Sequence, residues 1–505
     1  MEEVVNYGVL SLIPAILAVV LAFKTKNVVL SLLISLYVGA LIIAAWNPWQ
    51  ALQDLFSNYL FVDITSSGNA QTIVMMSFVG GFVALIEKSG GAKAFAKAIA
   101  EKITGKATAQ VFAWVGGLAI FFSDSGNSLI LGPIFRPIMD RLRVSRAKLA
   151  YILDSTSSPV CILVPVTGWG VYIMSIIATE FENLGIVESE MSVFMKAVPY
   201  QFYAILALLL VPLIAAGKKD FGPMALAEES AKHGLTEEQK AADEEVIVSD
   251  DTNVSPWNMV VPLIVLFSVI FIMFIGWGFP TQNVPGSKIR VALTSGYFMA
   301  SVALLAMIVR QKLMTFTEAF DTFIGGIKKM AGILTIIVCA WGVGSVCGNL
   351  GTSNFIVDST VGVISPSLVP ALLFIIGAVI SFATGTSWGT MAILLPLGIS
   401  MANGFGVSEY ITIAAVLSGS LFGDHCAPIS DTTVMSSMAA GCNHIEHVKT
   451  QIPYAGMAAA AAFISYLIIG VAQVSAFVAL PIAIAVLVVL YLVMTKVWGL
   501  KEEAK

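Results

Sequence analysis

The amino-acid sequence predicts an all-α polytopic membrane protein: an inverted-topology repeat of about 5 + 5 helices plus a C-terminal helix, with two re-entrant hairpins and two broken helices. Three observations predict it. Of 505 residues, 57% are hydrophobic and 12% charged, against about 25% charged in a soluble domain, and the mean hydropathy is +0.88. Apolar runs near the ~20 residues that span a bilayer recur along the whole length. Within them, polar stretches broken by glycine or proline sit at matching places in two halves. A lipid-facing helix cannot carry such stretches, because each unsatisfied polar group costs several kcal/mol in hydrocarbon.

Lys and Arg mark cytoplasmic loops, and they give a consistent trace. Residues 1–216 form the first half. A helix over 8–23 runs inward to Lys24 and Lys26, and one over 28–45 returns to an outer segment, 47–71, without Lys or Arg. A third over 73–86 reaches Lys88, followed by a short amphipathic piece bearing Lys93, Lys97, Lys102 and Lys106. The stretches 111–122 and 129–139 are each too short to span, and basic residues flank both. A hairpin over 109–140 therefore enters from the cytoplasm, turns at 123–128 and leaves again. A crossing over 149–178 is interrupted at 154–159 and emerges beside Glu180, Glu182, Glu188 and Glu190, an outer loop whose only base is Lys196. A helix over 197–215 returns to Lys218 and Lys219.

Residues 217–255 form a charged cytoplasmic linker. Ten of the 32 acidic residues fall between Asp220 and Asp251, and no apolar period is sustained, so the segment reads as a partly disordered tether. Residues 256–472 repeat the plan from the opposite side. The chain runs outward over 257–277, inward over 291–309, along a surface helix over 316–327, and outward over 330–346. A second hairpin, 367–402, enters from outside with its tip at 384–388. A second crossing, 409–441, is interrupted at 423–428 and ends inside near His444, His447 and Lys449. A helix over 452–471 completes this half, and residues 473–505 supply the C-terminal helix and tail. The N-terminus is then outside, with linker and C-terminus in the cytoplasm. Aligning the hairpin tips places Ile120-Phe121-Phe122 over Ile380-Ser381-Phe382, and opposite orientation of the halves is what an inverted repeat produces.

Asp124, Asp154, Asp424 and Asp431 are the clearest carboxylates at membrane depth. An Asp at mid-bilayer costs about 2.5 to 3.5 kcal/mol and usually faces a cavity or a partner. The bland alternative is that such residues cap half-helices. For Asp124 and Asp154 both readings stand, since half-helix ends are themselves ion sites. The strongest signal is Gly423-Asp424-His425-Cys426-Ala427-Pro428-Ile429-Ser430-Asp431-Thr432-Thr433, which puts two carboxylates, three hydroxyls and an imidazole into an apolar crossing. Pro428 removes a backbone donor and opens the helix, with Gly423 helping to open the backbone beside Asp424. The freed carbonyl oxygens suit a hard cation such as sodium. The sodium candidates are Asp154, Asp424, Asp431 and Thr432.

One His and one Cys make a poor zinc set, so His425 reads as a hydrogen-bond partner or proton relay. Neutral oxygens come from Ser125 and Asn127 at the first tip and from Ser155, Thr156 and Ser157 in the first break. Thr384, Thr386 and Ser387 at the second tip add to them, with Ser430, Thr432 and Thr433 in the second break. Gly and Ser dominate ordinary turns, but two tips arriving from opposite sides meet near the midplane, which favours binding. Asp424 is the favoured proton carrier, with Asp154 as its partner.

The run from Gly423 to Thr433, the stretch Ser381-Phe382-Ala383-Thr384-Gly385-Thr386-Ser387-Trp388-Gly389, and Asp154 to Pro159 resemble the NhaC family of bacterial sodium/proton antiporters, over most of both halves. The resemblance implies an elevator-type carrier with its hairpins in a moving transport domain. It also implies relatives that couple sodium and protons to organic acids such as malate and lactate.

The expected function is secondary antiport of sodium against protons across the bacterial cytoplasmic membrane, by alternating access. The alternative is a sodium- or proton-coupled carrier of a small organic acid or amino acid, which the absence of Arg and Lys from tips and breaks disfavours. No HExxH, nucleophile elbow or phosphate loop sits beside the breaks, which argues against an enzyme. The five scattered cysteines form no CxxC pair, and no basic patch with interleaved aromatics suggests nucleic acid. No cofactor is expected beyond sodium and protons as coupling ions. The expected partners are membrane lipid, the transported ion or solute, and a second copy of the chain in a homodimer.

Overall fold

The computed structural model describes residues 7–235, 254–282, 284–352, 354–355, 359, 365–472 and 474–499. The first half is a chain of helices: α1 (Ile13–Thr25), α2 (Val28–Ile43), α3 (Pro48–Asp54), α4 (Phe61–Thr65), α5 (Ser67–Lys88), α6 (Gly91–Ala100), α7 (Lys106–Ala119), α8 (Asp124–Arg141), α9 (Arg146–Ser155), α10 (Ser158–Cys161), α11 (Gly168–Asn183), α12 (Glu190–Ala197) and α13 (Phe202–Gly217). A further helix, α14 (Gly222–Ala231), stands between the halves. The second half holds α15 (Trp257–Gly276), α16 (Gly286–Arg310), α17 (Phe316–Lys329), α18 (Ala331–Asn349), α19 (Val369–Thr384), α20 (Ser387–Phe405), α21 (Glu409–Cys426), α22 (Asp431–Ala440), α23 (His444–Ala472) and α24 (Ala476–Trp498). Among the described residues nine helical stretches are long and apolar enough to cross a membrane, or up to eleven with two bent pairs. The chain is a multi-pass membrane protein.

Helix–turn–helix pairs stand at both expected hairpin positions, as α7–α8 and α19–α20, and helix breaks stand in both expected crossings, as α9–α10–α11 and α21–α22; each arm of the second pair is itself long and apolar enough to cross a membrane. Local chemistry sets each tip. Ser123 has extended backbone and its Oγ accepts from Gly126 N at 3.0 Å, which starts α8 in the manner of an N-cap. Gly385 ends α19 at φ 68°, a left-handed conformation open to glycine.

The two halves pack as mirror instructions. The second arm of the first hairpin, α8, lies on α9 of its own half and on α22 beyond the break of the other half. The second arm of the second hairpin, α20, lies on α21 of its own half and on α11 beyond the break of the first. Each hairpin thus straddles both broken crossings.

The structure adds detail to four expectations. The segment 47–71 is helical: Asn47 accepts from Trp49 N and Gln50 N, Pro48 follows it, and this start signal launches α3 and α4 at 119° to α2. The helix expected over 316–327 is present as α17, with only Ala319 and Gly326 buried, and it crosses α5 where Gly326 meets Gly80 backbone to backbone. The linker is ordered over its first part, where Phe221 and Met224 are fully buried and α14 packs on α9 and α23; residues 236–253 lie outside the described residues. Finally, α23 begins at His444, well before 452, which places His447 in its first turn. His447 is fully buried.

Candidate functional site

Asp154 lies in the last turn of α9, 1% exposed. It caps no helix start, so the capping alternative fails there. Its neighbours all come from the other half of the chain. Thr433 Oγ1 donates to Asp154 Oδ2 at 3.1 Å, and Gln451 Nε2 donates to the same oxygen at 2.6 Å. The Gln451 amide also donates to the His425 carbonyl, tying the end of α21 to α9. His447 Nε2 stands 3.4 Å from Oδ2 without the alignment of a hydrogen bond, and His425 Nε2 stands 3.9 Å away. His425 is held from both sides: Nδ1 shares a 2.7 Å hydrogen bond with Tyr203 Oη, and Nε2 lies 3.4 Å from Ser155 Oγ.

Asp424 lies in the last turn of α21, 6% exposed. Ser387 Oγ, the first residue of α20, donates to Asp424 Oδ2 at 2.6 Å, and Ser430 lies beside the same carboxylate. Asp424 precedes His425 in the chain, and His425 Nε2 stands 3.9 Å from Asp154 Oδ2. The two halves' carboxylates are thus linked through His425, with no direct contact between them among the described residues.

The tips meet through aromatic rings. Asp124 Oδ1 accepts from the backbone of Ser125 at 2.7 Å, and Oδ2 accepts from Trp169 Nε1 at 3.1 Å. Trp169 packs on Trp388 of the second tip, ring centres 4.6 Å apart, and Tyr172 Oη donates to the Trp388 carbonyl at 2.8 Å. Asn127, fully buried, donates to the carbonyls of Gly117 and Thr156 at 2.8 and 2.9 Å, joining the first tip to the first break.

Other predicted residues serve the backbone. Thr156 Oγ1 donates to Ile152 O, Ser157 Oγ to Asp154 O and Thr384 Oγ1 to Ile380 O. Thr386 starts α20 without a side-chain cap, and Thr432 shares a 3.1 Å bond with Ser430. Asp431 is placed apart: it is exposed at the first position of α22, where its charge suits the helix dipole. Gly423 opens nothing, since α21 is intact through Cys426. The opening is the turn at 427–430, where the Pro428 carbonyl accepts from His444 Nε2 at 2.7 Å.

The sequence reading passed over Gln451, His447 and Tyr203. A glutamine or histidine in an otherwise apolar helix is the signal that would have found the first two. Two buried oxygens in this cluster, Asp154 Oδ1 and Gln451 Oε1, have no protein donor, and neither has Asn127 Oδ1 at the first tip. Buried acceptors are almost always satisfied, so the set suits a cation.

The model of the Na+/H+ antiporter family matches residues 160–471. An uncharacterised protein of Haemophilus influenzae is 32% identical over 486 residues, covering 93% of this chain and 92% of that one. The Na(+)/H(+) antiporter NhaC of Alkalihalophilus pseudofirmus is 25% identical over 126 residues, covering 25% and 26%. In fold, the chain is similar to the YdaH transporter of Alcanivorax borkumensis, with TM-score 0.58 at 14% identity, covering 84% of this chain and 90% of that one.

Proposed function

This chain belongs to the Na+/H+ antiporter family, and from that premise we propose that it exchanges sodium for protons at the Asp154–Asp424 cluster. The observation that carries the reading is the pair of buried carboxylates, one at each break, ringed by hydroxyl, amide and imidazole groups. Among the described residues neither is paired with a lysine or arginine. A buried charge needs a counter-charge, and here that charge arrives as the cargo. Sodium takes oxygen ligands, which Asp424, Ser387, Ser430 and the unpartnered oxygens of Asn127 and Gln451 supply. A proton binding the same carboxylate displaces it, so one site serves both ions in turn. The cluster sits between two hairpins that each contact both crossings, so movement of the hairpins against the remaining helices exposes it to either side. The basic loops orient the linker and C-terminus toward the cytoplasm and the N-terminus outside, in a bacterial cytoplasmic membrane.

A second reading rests on the Trp169–Trp388–Tyr172 cluster between the tips. Aromatic faces suit a small organic solute better than a bare ion.

One assay separates the two. Proteoliposomes holding an internal pH dye receive sodium, lithium or potassium, then a panel of organic acids and amino acids. The expected result is internal alkalinisation by added sodium and not by potassium, lost in Asp424→Asn with the purified variant still monodisperse. Equal responses to sodium and potassium would sink the ion assignment. So would an unchanged pH profile in both Asp424→Asn and Asp154→Asn.

A further inference from the structure

Glu180 reads in the sequence as part of an outer loop, yet it is 4% exposed in the last turns of α11. Its carboxylate lies against Gly344 of α18, where an added Cβ would fall 2.1 Å from Oε1. Among the described residues no hydrogen bond or ion pair satisfies it. Beside it is a cavity of about 360 Å³ bounded by α1, α11, α18 and α20. Glu180, Asn183, Ser345, Asn349 and Ser400 give this cavity polar walls, and Ile393 and Leu397 give it apolar ones. No lysine, arginine or histidine lines it among the described residues. Asp63 adds a second negative group: its Oδ1 accepts from Ser345 at 3.1 Å, and its buried Oδ2 has no donor. No residue of this cavity belongs to the Asp154–Asp424 cluster.

We propose that this cavity is a second binding site, which takes a small organic cation through an ammonium group paired with Glu180. A buried carboxylate without a partner takes up either a proton or a positively charged ligand, and an ammonium group brings three donors for the carboxylate and the neighbouring amide and hydroxyl oxygens. The volume lies at the lower end of the range for small-molecule pockets, about 300 to 1,000 Å³, and the apolar walls accept a short carbon chain. A bare metal ion fits poorly, because it would need oxygen ligands closing around it on all sides in a space many times its size. An anion is repelled by Glu180 and Asp63.

The test uses the purified full chain in detergent, titrated calorimetrically with propylammonium chloride, with propanol as the uncharged analogue and sodium chloride as the ion control. Saturable binding of propylammonium, absent for propanol, is expected. Glu180→Gln should weaken it at least about tenfold. Gly348→Leu should do the same by filling the cavity while leaving the carboxylate in place, since an added Cβ at Gly348 meets nothing within 4 Å. That variant decides the matter if Glu180→Gln does not fold. Asp424→Asn should bind propylammonium as wild type does, whatever becomes of its sodium transport. No saturable binding, saturation by sodium alone, wild-type binding in Gly348→Leu, or loss in Asp424→Asn alone would each overturn the proposal.

Discussion

Replacing Gly423 with alanine should damage the proposed ion site from the position next to Asp424. On α21 the added Cβ would lie 2.3 Å from the Ala378 carbonyl oxygen and 2.6 Å from Phe382 N, both backbone atoms of α19. Gly419, one turn earlier, meets α19 in the same way, 2.2 Å from the Phe374 carbonyl oxygen. Backbone cannot swing aside as a side chain does, so α19 must move as a unit. Restoring an ordinary contact of about 3.4 Å requires a shift of about 1 Å, and overpacking of this kind costs about 1 to 3 kcal/mol. The shift also bears on the tip that follows α19, where Ser387 holds Asp424 at 2.6 Å. Lengthened by about 1 Å, that contact is no longer a hydrogen bond, and a bond to a charged group contributes about 1.5 to 3 kcal/mol. Sodium affinity should fall roughly ten- to a hundredfold by that amount. Thermal unfolding in detergent and sodium KM in proteoliposomes read the two effects. Gly456→Ala in α23, where an added Cβ meets nothing within 4 Å, is the matched control and should be neutral or slightly stabilising. If Gly423→Ala behaves like Gly456→Ala in both measurements, the close-packing argument is wrong.

The docked linker offers further tests. Phe221 is fully buried and stacks on Tyr454 with ring centres 4.4 Å apart, so Phe221→Ala should cost about 3 to 5 kcal/mol, read as a lowered Tm; an unchanged Tm contradicts the docking. Lys148 of α9 pairs with Asp220, which also accepts from Tyr454 Oη at 2.7 Å. Asp220→Asn should therefore strand a buried ammonium at a cost of about 3 to 5 kcal/mol, and a compensating Lys148→Met should recover part of it. At the tips, Trp169→Phe keeps a ring against Trp388 but removes the donor to Asp124. Hydrogen exchange at 123–128 should speed up while the Asp154 cluster stays protected; no change there refutes the link between tips.

The hairpins and breaks were legible because polar and glycine-rich runs inside apolar helices violate the one rule that lipid enforces on a chain. What stayed hidden depends on partners far away in sequence. Asp424 and Asp431, seven residues apart, would share a face of a continuous helix, but the turn after Pro428 redirects the chain and leaves Asp431 exposed. Glu180 looked like a loop residue because three more glutamates follow it, and only α18, with a glycine at 344, shows why it is inside. In the linker, the apolar residues Phe221 and Met224 are too few to make a periodic signal. They dock because α9, α23 and α24 present a ready surface, with Glu228 accepting from both Ser145 N and Oγ at 2.8 and 2.7 Å.

The two carboxylates at the centre are not equivalent, and the difference assigns their roles. Every side chain set around Asp154 comes from the other half: His425 from α21, Thr433 from α22, Gln451 and His447 from α23. Asp154 is thus a joint between the two broken crossings, its charge answered by fixed protein groups that must separate before it can leave them. Among the described residues, Asp424 is answered only by hydroxyls of its own half, Ser387 and Ser430. Hydroxyls rotate and can accept as well as donate, so they turn toward a carboxylate when it is bare and toward a cation when one is bound. A group held this way exchanges its counter-ion without rearranging the fold, whereas one held as Asp154 is cannot. Under the proposed function, exchange is expected at Asp424, with Asp154 holding the two halves in register. Substitution of Asp154 should accordingly lower both stability and transport, and substitution of Asp424 should lower transport alone.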